Sequence, residues 1–245
     1  MTKWRGLVLS ALFAFALTSP ALADVRLKGT TNQMEVESSL GARVSVRPQA
    51  VGARGSYTHG ASTGVLPAAL GANSEVFQFR WSHATLKALI RSIRISASVS
   101  TTAFAAGVPV GIELRLATGW TGQGTGGTGI TFGTDDAKKR VSFAQSAMAA
   151  GDLRIATTAA LGAGTKTLNG VAMAHVNGQP GTANITFIPT STFLWSRETG
   201  DEYPLFLSQN DGIVIRSVEV PGTGTWKLSV TIEWTELDTV EITGW

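Results

Sequence analysis

His59, His83 and His175 are the only imidazoles among 245 residues, so any histidine-based acid–base or metal chemistry must draw on these three. Gly60-Ala61-Ser62-Thr63-Gly64 has the G-x-S-x-G form of a nucleophile elbow, in which a strained strand-to-helix turn exposes a serine for acyl transfer. Asp135 and His175 follow it in an order compatible with a triad. The elbow must open a helix, however, and Val65-Leu66-Pro67 supplies none, so a turn of small residues is the reading adopted. Gly122-Gln123-Gly124-Thr125-Gly126-Gly127 fits G-x-G-x-x-G, whose glycines let a backbone approach a pyrophosphate at a helix N-terminus. No helical pattern follows it, and a loop is expected instead. No histidine has a second ligand at metal-site spacing, and neither a metal nor a cofactor is expected. Asp135-Asp136 and Asp201-Glu202 are paired carboxylates, but sequence neighbours in a strand point to opposite faces and in a loop are usually solvated. A glycosidase pair has no other support here. Among seven tryptophans, Trp120 and Trp195 fall outside clear core positions and are the candidate ligand-binding residues, able to stack on a sugar ring. An anchor in a subunit interface is the preferred use of either one, because interfaces are enriched in aromatic residues.

The elements that must position these side chains read as strands. Trp226, Leu228, Val230, Ile232 and Trp234 alternate with Lys227, Ser229, Thr231 and Glu233, the period of a strand with one buried face. Ile112, Leu114 and Leu116 alternate similarly with Glu113 and Arg115, and Phe77, Phe79 and Trp81 form an aromatic alternation. Further strands are expected at 42–46, 76–81, 90–99, 153–157, 171–176, 185–188, 204–207 and 213–220. About ten short strands separated by Gly, Pro, Thr and Asn predict an all-β fold, an antiparallel β-sandwich of jelly-roll type. Short helical turns are expected within 82–90 and 138–150, the second stopped by Gly151. Seven glycines in 119–133 predict a long surface loop.

Charged residues make up 15% of the chain and cysteine is absent, which excludes disulfide scaffolds, thiolate metal sites and thiol enzymes. At the start, Lys3 and Arg5 precede an apolar run over 6–17 and the small residues Ala21 and Ala23, the layout of a secretory signal peptide over 1–23. That run is too short for a stable membrane span. Residues 24–41 are expected to form an extended arm, and 42–245 a single β-sandwich domain. Net charge runs +5 over 24–115, +2 over 116–196 and −6 over 197–245. A basic front could therefore meet an acidic tail within or between copies. No basic stripe is interleaved with aromatics, so nucleic acid is not an expected partner.

Gly64-Val65-Leu66-Pro67-Ala68-Ala69-Leu70 leads into Phe77-Gln78-Phe79-Arg80-Trp81. Later come Trp120-Thr121-Gly122-Gln123-Gly124-Thr125-Gly126-Gly127, Asp201-Glu202-Tyr203-Pro204-Leu205, Gly212-Ile213-Val214-Ile215-Arg216 and Gly224-Thr225-Trp226. Together, across about residues 34–237, these segments resemble a widespread group of uncharacterised tailed-bacteriophage virion proteins. The resemblance includes no catalytic signature. It implies a non-enzymatic, β-rich component of a capsid, tail or particle surface, with copies of itself and other virion proteins as partners. The signal-like start departs from that group, whose members assemble in the cytoplasm; a start at Met34, or a virion domain adapted to export, would reconcile the two. The alternative expectation is an exported module, released by cleavage after Ala23, that binds carbohydrate or a cell surface through Trp120 or Trp195.

Overall fold

The computed structural model describes residues 54–68, 70–104, 108–180, 184–188, 193–196, 205–219 and 221–238, together with Leu27–Lys28 and Gln33–Met34. Residues 1–48 and 49–245 are separate compact units. In the first, β1 (Leu27–Lys28) and β2 (Gln33–Met34) pair antiparallel within the expected arm, Leu27 opposite Met34. The signal-like segment and the strand expected at 42–46 lie outside the described residues.

The second unit is an antiparallel β-sandwich. Its strands are β3 (Gly55–Ser62), β4 (Leu66–Pro67), β5 (Ser74–Trp81), β6 (Lys87–Val99), β7 (Val110–Gly122), β8 (Thr128–Ile130), β9 (Leu153–Ile155), β10 (Thr165–Leu168), β11 (Ala174–Pro180), β12 (Asn184–Ile188), β13 (Phe193–Ser196), β14 (Leu205–Leu207), β15 (Asp211–Glu219) and β16 (Thr225–Leu237). One sheet is β3-β16-β6, with β12, β13 and β14 sharing the far edge of β6. The other is β11-β7-β15-β5-β9-β8, with β10 extending the β11 edge of β7. The β11–β12 hairpin links them.

Alternation in β16 turns Trp226, Leu228, Val230, Ile232 and Trp234 inward, all fully buried. They meet Phe77, Phe79, Trp81, Ile213 and Ile215 of the facing sheet in one continuous core. Trp234 is its hub: Phe79 packs edge-on at 5.5 Å, Tyr57 stacks at 5.4 Å and Phe132 lies at 5.7 Å. Aromatic pairs at such spacings add to the stabilisation from burial alone.

Three local expectations are corrected. Neither short helix forms. At 82–90, the His83 Nδ1 accepts the amides of Leu86 at 3.1 Å and Thr85 at 3.3 Å, closing a turn, and Lys87 then enters β6. A side chain that takes up backbone N–H groups in this way competes with helix formation. Over 138–150, backbone groups are drawn to tertiary partners: the Lys139 N–H donates to Ser56 at 3.0 Å and the Ala147 N–H donates to Glu236 at 3.0 Å. The expected glycine-rich surface loop over 119–133 is instead the end of β7, a tight turn and β8. The Trp120 N–H donates to Asn210 O at 2.8 Å, which keeps the strand running past Gly119, whose φ is +60°.

Candidate functional site

The sheet containing β7, β15 and β5 has two buried faces. Its inner face meets the core, and its outer face carries a small apolar cluster of Ala117, Trp120 and Val214 with Leu168 against it. The chain after β9 crosses this face: the Leu161 N–H donates to Glu75 O at 2.8 Å, and β10 then pairs with β7, opposing Thr165 to Gly122. Trp120, expected in a surface loop, is thereby only 1% exposed. Glycines make this closeness possible. A Cβ at Gly212 would meet the Trp120 ring at 2.6 Å, and one at Gly124 would overlap the amide oxygen of Gln78.

Polar side chains are sealed beneath the crossing segment. Lys166 lies in the irregular step of the β10–β7 ladder with a side chain 2% exposed. Its Nζ donates to Glu75 Oε2 at 2.8 Å and to Ala163 O, and sits 4.5 Å from the centroid of the Trp120 ring, a cation–π contact. Gln78, 1% exposed, places Nε2 on the same Glu75 Oε2 at 2.5 Å and on Gly162 O at 3.0 Å. The break in register that opposes Ile215 to Phe77 but Arg216 to Glu75 brings Glu75 and Gln78, three residues apart, to one face.

A second cluster lies in the same strands. Arg216 stands opposite Glu113 in the β15–β7 ladder and Glu75 in the β15–β5 ladder, with His175 opposite Glu113 from β11. Buried Glu113 accepts from Arg115 at 2.7 and 3.1 Å and from Arg216 Nε. Burial pushes its carboxyl up, but the hydrogen bonds and charges of the two guanidinium groups outweigh burial and hold it below the ordinary carboxylate range. Arg115 also donates to Asn169 O at 2.8 Å, tying the crossing segment down.

Two further buried carboxylates tie other segments. Asp152 accepts from Arg80 at 3.4 Å, from Gln123 at 3.1 Å and from Ser82. Glu236 is fully buried and accepts from Ser146 Oγ at 2.6 Å, Ala147 N–H at 3.0 Å and Trp234 Nε1 at 3.2 Å. Burial raises its carboxyl above the ordinary range; those hydrogen bonds and the charge of His83 only partly offset the rise. Nearby, the Tyr57 hydroxyl donates toward Ala144 O at 3.0 Å, and burial, with the Glu236 charge, raises its phenol. The segment 137–148 is thus fastened across β3 and β16, with Lys139 paired to Glu233 at 2.8 Å.

The triad suggested by residue order is not assembled. Ser62 Oγ accepts from Ser229 at 3.3 Å on β3, His175 bonds Asn177 at 3.0 Å on β11, and exposed Asp135 pairs with Lys138 at 3.3 Å. His59 lies edge-on to Phe132 at 5.2 Å, and its ring is held below the ordinary imidazole range by burial, opposed by Asp136. Gly122–Gly127 joins two strands rather than a strand and a helix; a Cβ at Gly127 would overlap the carbonyl of Ile155. Trp120 is 1% exposed and offers no open ring face of the kind sugar stacking uses, while Trp195, on β13, is half-buried against the core with its Nε1 buried. Among the described residues, no three His, Asp or Glu side chains converge as metal ligands and no helix is long and apolar enough to cross a membrane.

Lys166, Glu75 and Gln78 are the site residues that pattern reading missed. Two polar residues beside the aromatics of Ser-Glu-Val-Phe-Gln-Phe-Arg-Trp were the available signal, together with a lysine isolated between Lys139 and Lys227. No protein-family model, curated protein or solved structure matches this chain.

Proposed function

We propose that this chain is a structural and assembly module, a rigid β-sandwich that works through contacts with copies of itself and with other components of a phage-like virion or particle surface, and not through catalysis. The observation that supports this most directly is the use made of the buried carboxylates. Glu75, Glu113, Asp152 and Glu236 each fasten separate segments together, so the polar chemistry of the interior is invested in rigidity. The resemblance of residues 34–237 to tailed-phage virion proteins gives that rigidity a use. Among the described residues, Glu233 of the tail pairs with Lys139 of the middle segment, and basic Arg216 of the tail pairs with acidic Glu113 of the front. In this reading the basic front of one copy meets the acidic tail of another.

The test is mass spectrometry across a density gradient of particles from the producing culture, with the N-terminal peptide recorded. Co-banding with particle proteins, together with a salt-sensitive oligomer of the purified protein, is the expected result. A salt-insensitive monomer found only in soluble or envelope fractions would refute the proposal.

A further inference from the structure

We propose that Lys166 and Gln78 join through an intramolecular isopeptide bond whose formation is promoted by Glu75. The inference rests on side-chain geometry and holds whether or not the protein is a particle component.

Three observations carry it. Both nitrogens of the prospective pair lie on one oxygen: Lys166 Nζ is 2.8 Å and Gln78 Nε2 is 2.5 Å from Glu75 Oε2. That is the position from which a single carboxylate relays a proton from attacking amine to leaving nitrogen. The group is also dry and packed, with Lys166, Gln78 and Glu75 buried below the crossing segment and Trp120 beneath the ammonium. Water, the competing nucleophile, is kept from the amide. Finally, the amide is fixed in place: Nε2 is held by Gly162 O at 3.0 Å and Oε1 lies against Gly124, where any Cβ would overlap it. Fixed reactants at short range convert a slow bimolecular aminolysis into an intramolecular one.

The Lys166 ammonium passes a proton to Glu75, and the freed Nζ lone pair attacks Gln78 Cδ, forming the new C–N bond and a tetrahedral oxyanion. Glu75 returns the proton to Nε2. The Cδ–Nε2 bond breaks as the carbonyl re-forms, and the proton shed by the new amide nitrogen leaves with ammonia. An ammonium and a primary amide thus become a secondary amide and an ammonium ion, with no oxidant or cofactor. Gln78 is assigned as the acyl donor because its amide can expel ammonia, whereas Glu75, as an ion-paired carboxylate, is a poor electrophile and serves as the base.

Trypsin applied to the denatured, purified full chain decides the matter. The expected product is one branched peptide joining residues 55–80 to 155–197, uncut after Lys166 and lighter by one ammonia than the sum of those two peptides. K166R should restore three separate linear peptides, 55–80, 155–166 and 167–197, and E75Q should leave the bond unformed or greatly slowed. Recovery of unmodified 55–80 and a free peptide ending at Lys166 from wild-type protein, both fresh and after prolonged incubation, would overturn the proposal. A branched peptide lighter by water instead, or one linking Lys166 to Glu75, would overturn the assignment of Gln78, and full bond formation in E75Q that retains the wild-type near-ultraviolet circular dichroism would overturn the role of Glu75.

Discussion

Replacing Glu113 by glutamine should destabilise the sandwich by about 3 kcal/mol, the lower end of what removing one partner from a buried ion pair costs. The structure sets that estimate. Glu113 is 5% exposed while Arg115 and Arg216 keep 16% and 15%, so the abandoned guanidinium groups retain some water. Arg115 also keeps its bond to Asn169 O at 2.8 Å, and the glutamine carbonyl still accepts one hydrogen bond. With a urea dependence of roughly 2–3 kcal/mol per molar, the unfolding midpoint should fall by about 1 M. Arg115→Met, which leaves Glu113 its Arg216 partner, should cost less than half as much. The pH dependence provides an independent check. The folded carboxyl lies below the ordinary glutamate value of 4.5, so its stabilisation is full above that value and is lost as pH falls through the folded one. The gap between wild type and Glu113→Gln should therefore narrow on the acid limb. A midpoint change equivalent to less than about 0.5 kcal/mol, or a gap independent of pH, would refute the view that Glu113 clasps β7 to β15.

Glu236 behaves oppositely, its folded carboxyl being raised, so its contribution is present below the ordinary range and fades as pH rises through the folded value. Urea midpoints of wild type should then fall relative to Glu236→Gln as pH rises above the ordinary glutamate value of 4.5. Trp234→Ala should cost about 3–5 kcal/mol through the cavity it leaves among Tyr57, Phe79 and Phe132, read as a lowered melting temperature. Ser62→Ala should shift stability by no more than about 0.5 kcal/mol, and a phosphonate probe should label neither protein.

The all-β class was legible because the strands of the core obey period two: β16 and the aromatic half of β5 read directly from alternation. β3 was missed because Gly-Ser-Tyr-Thr-His-Gly-Ala-Ser has one large apolar residue, and its place is set by pairing with β16 and by Tyr57 against Trp234. Strands as short as β8 and β10 carry no readable period. Over 119–133 glycine abundance does not mean irregularity: Gly124 and Gly127 are points where a second layer of chain lies against the sheet. That layer also explains the charged clusters. Glu75 and Gln78 look like solvent-face residues in the sequence, and the crossing of residues 156–168 covers them. Side chains that meet through such a crossing are separated by distances along the chain that no local pattern records.

The position of β16 has a consequence for synthesis on the ribosome. It lies between β3 and β6, and Ser62 and Ser229, paired across it, are 167 residues apart. At about 5–20 residues per second, β3 emerges roughly ten to thirty seconds before the strand it must pair with. During that interval, β6 presents an unsatisfied hydrogen-bonding edge together with Ile90, Ile93 and Ile95, the composition that recruits holding chaperones or neighbouring nascent chains. Among the described strands, the one made last is therefore the one that closes the first sheet, and the yield of folded protein should depend on how the nascent chain is protected while it waits.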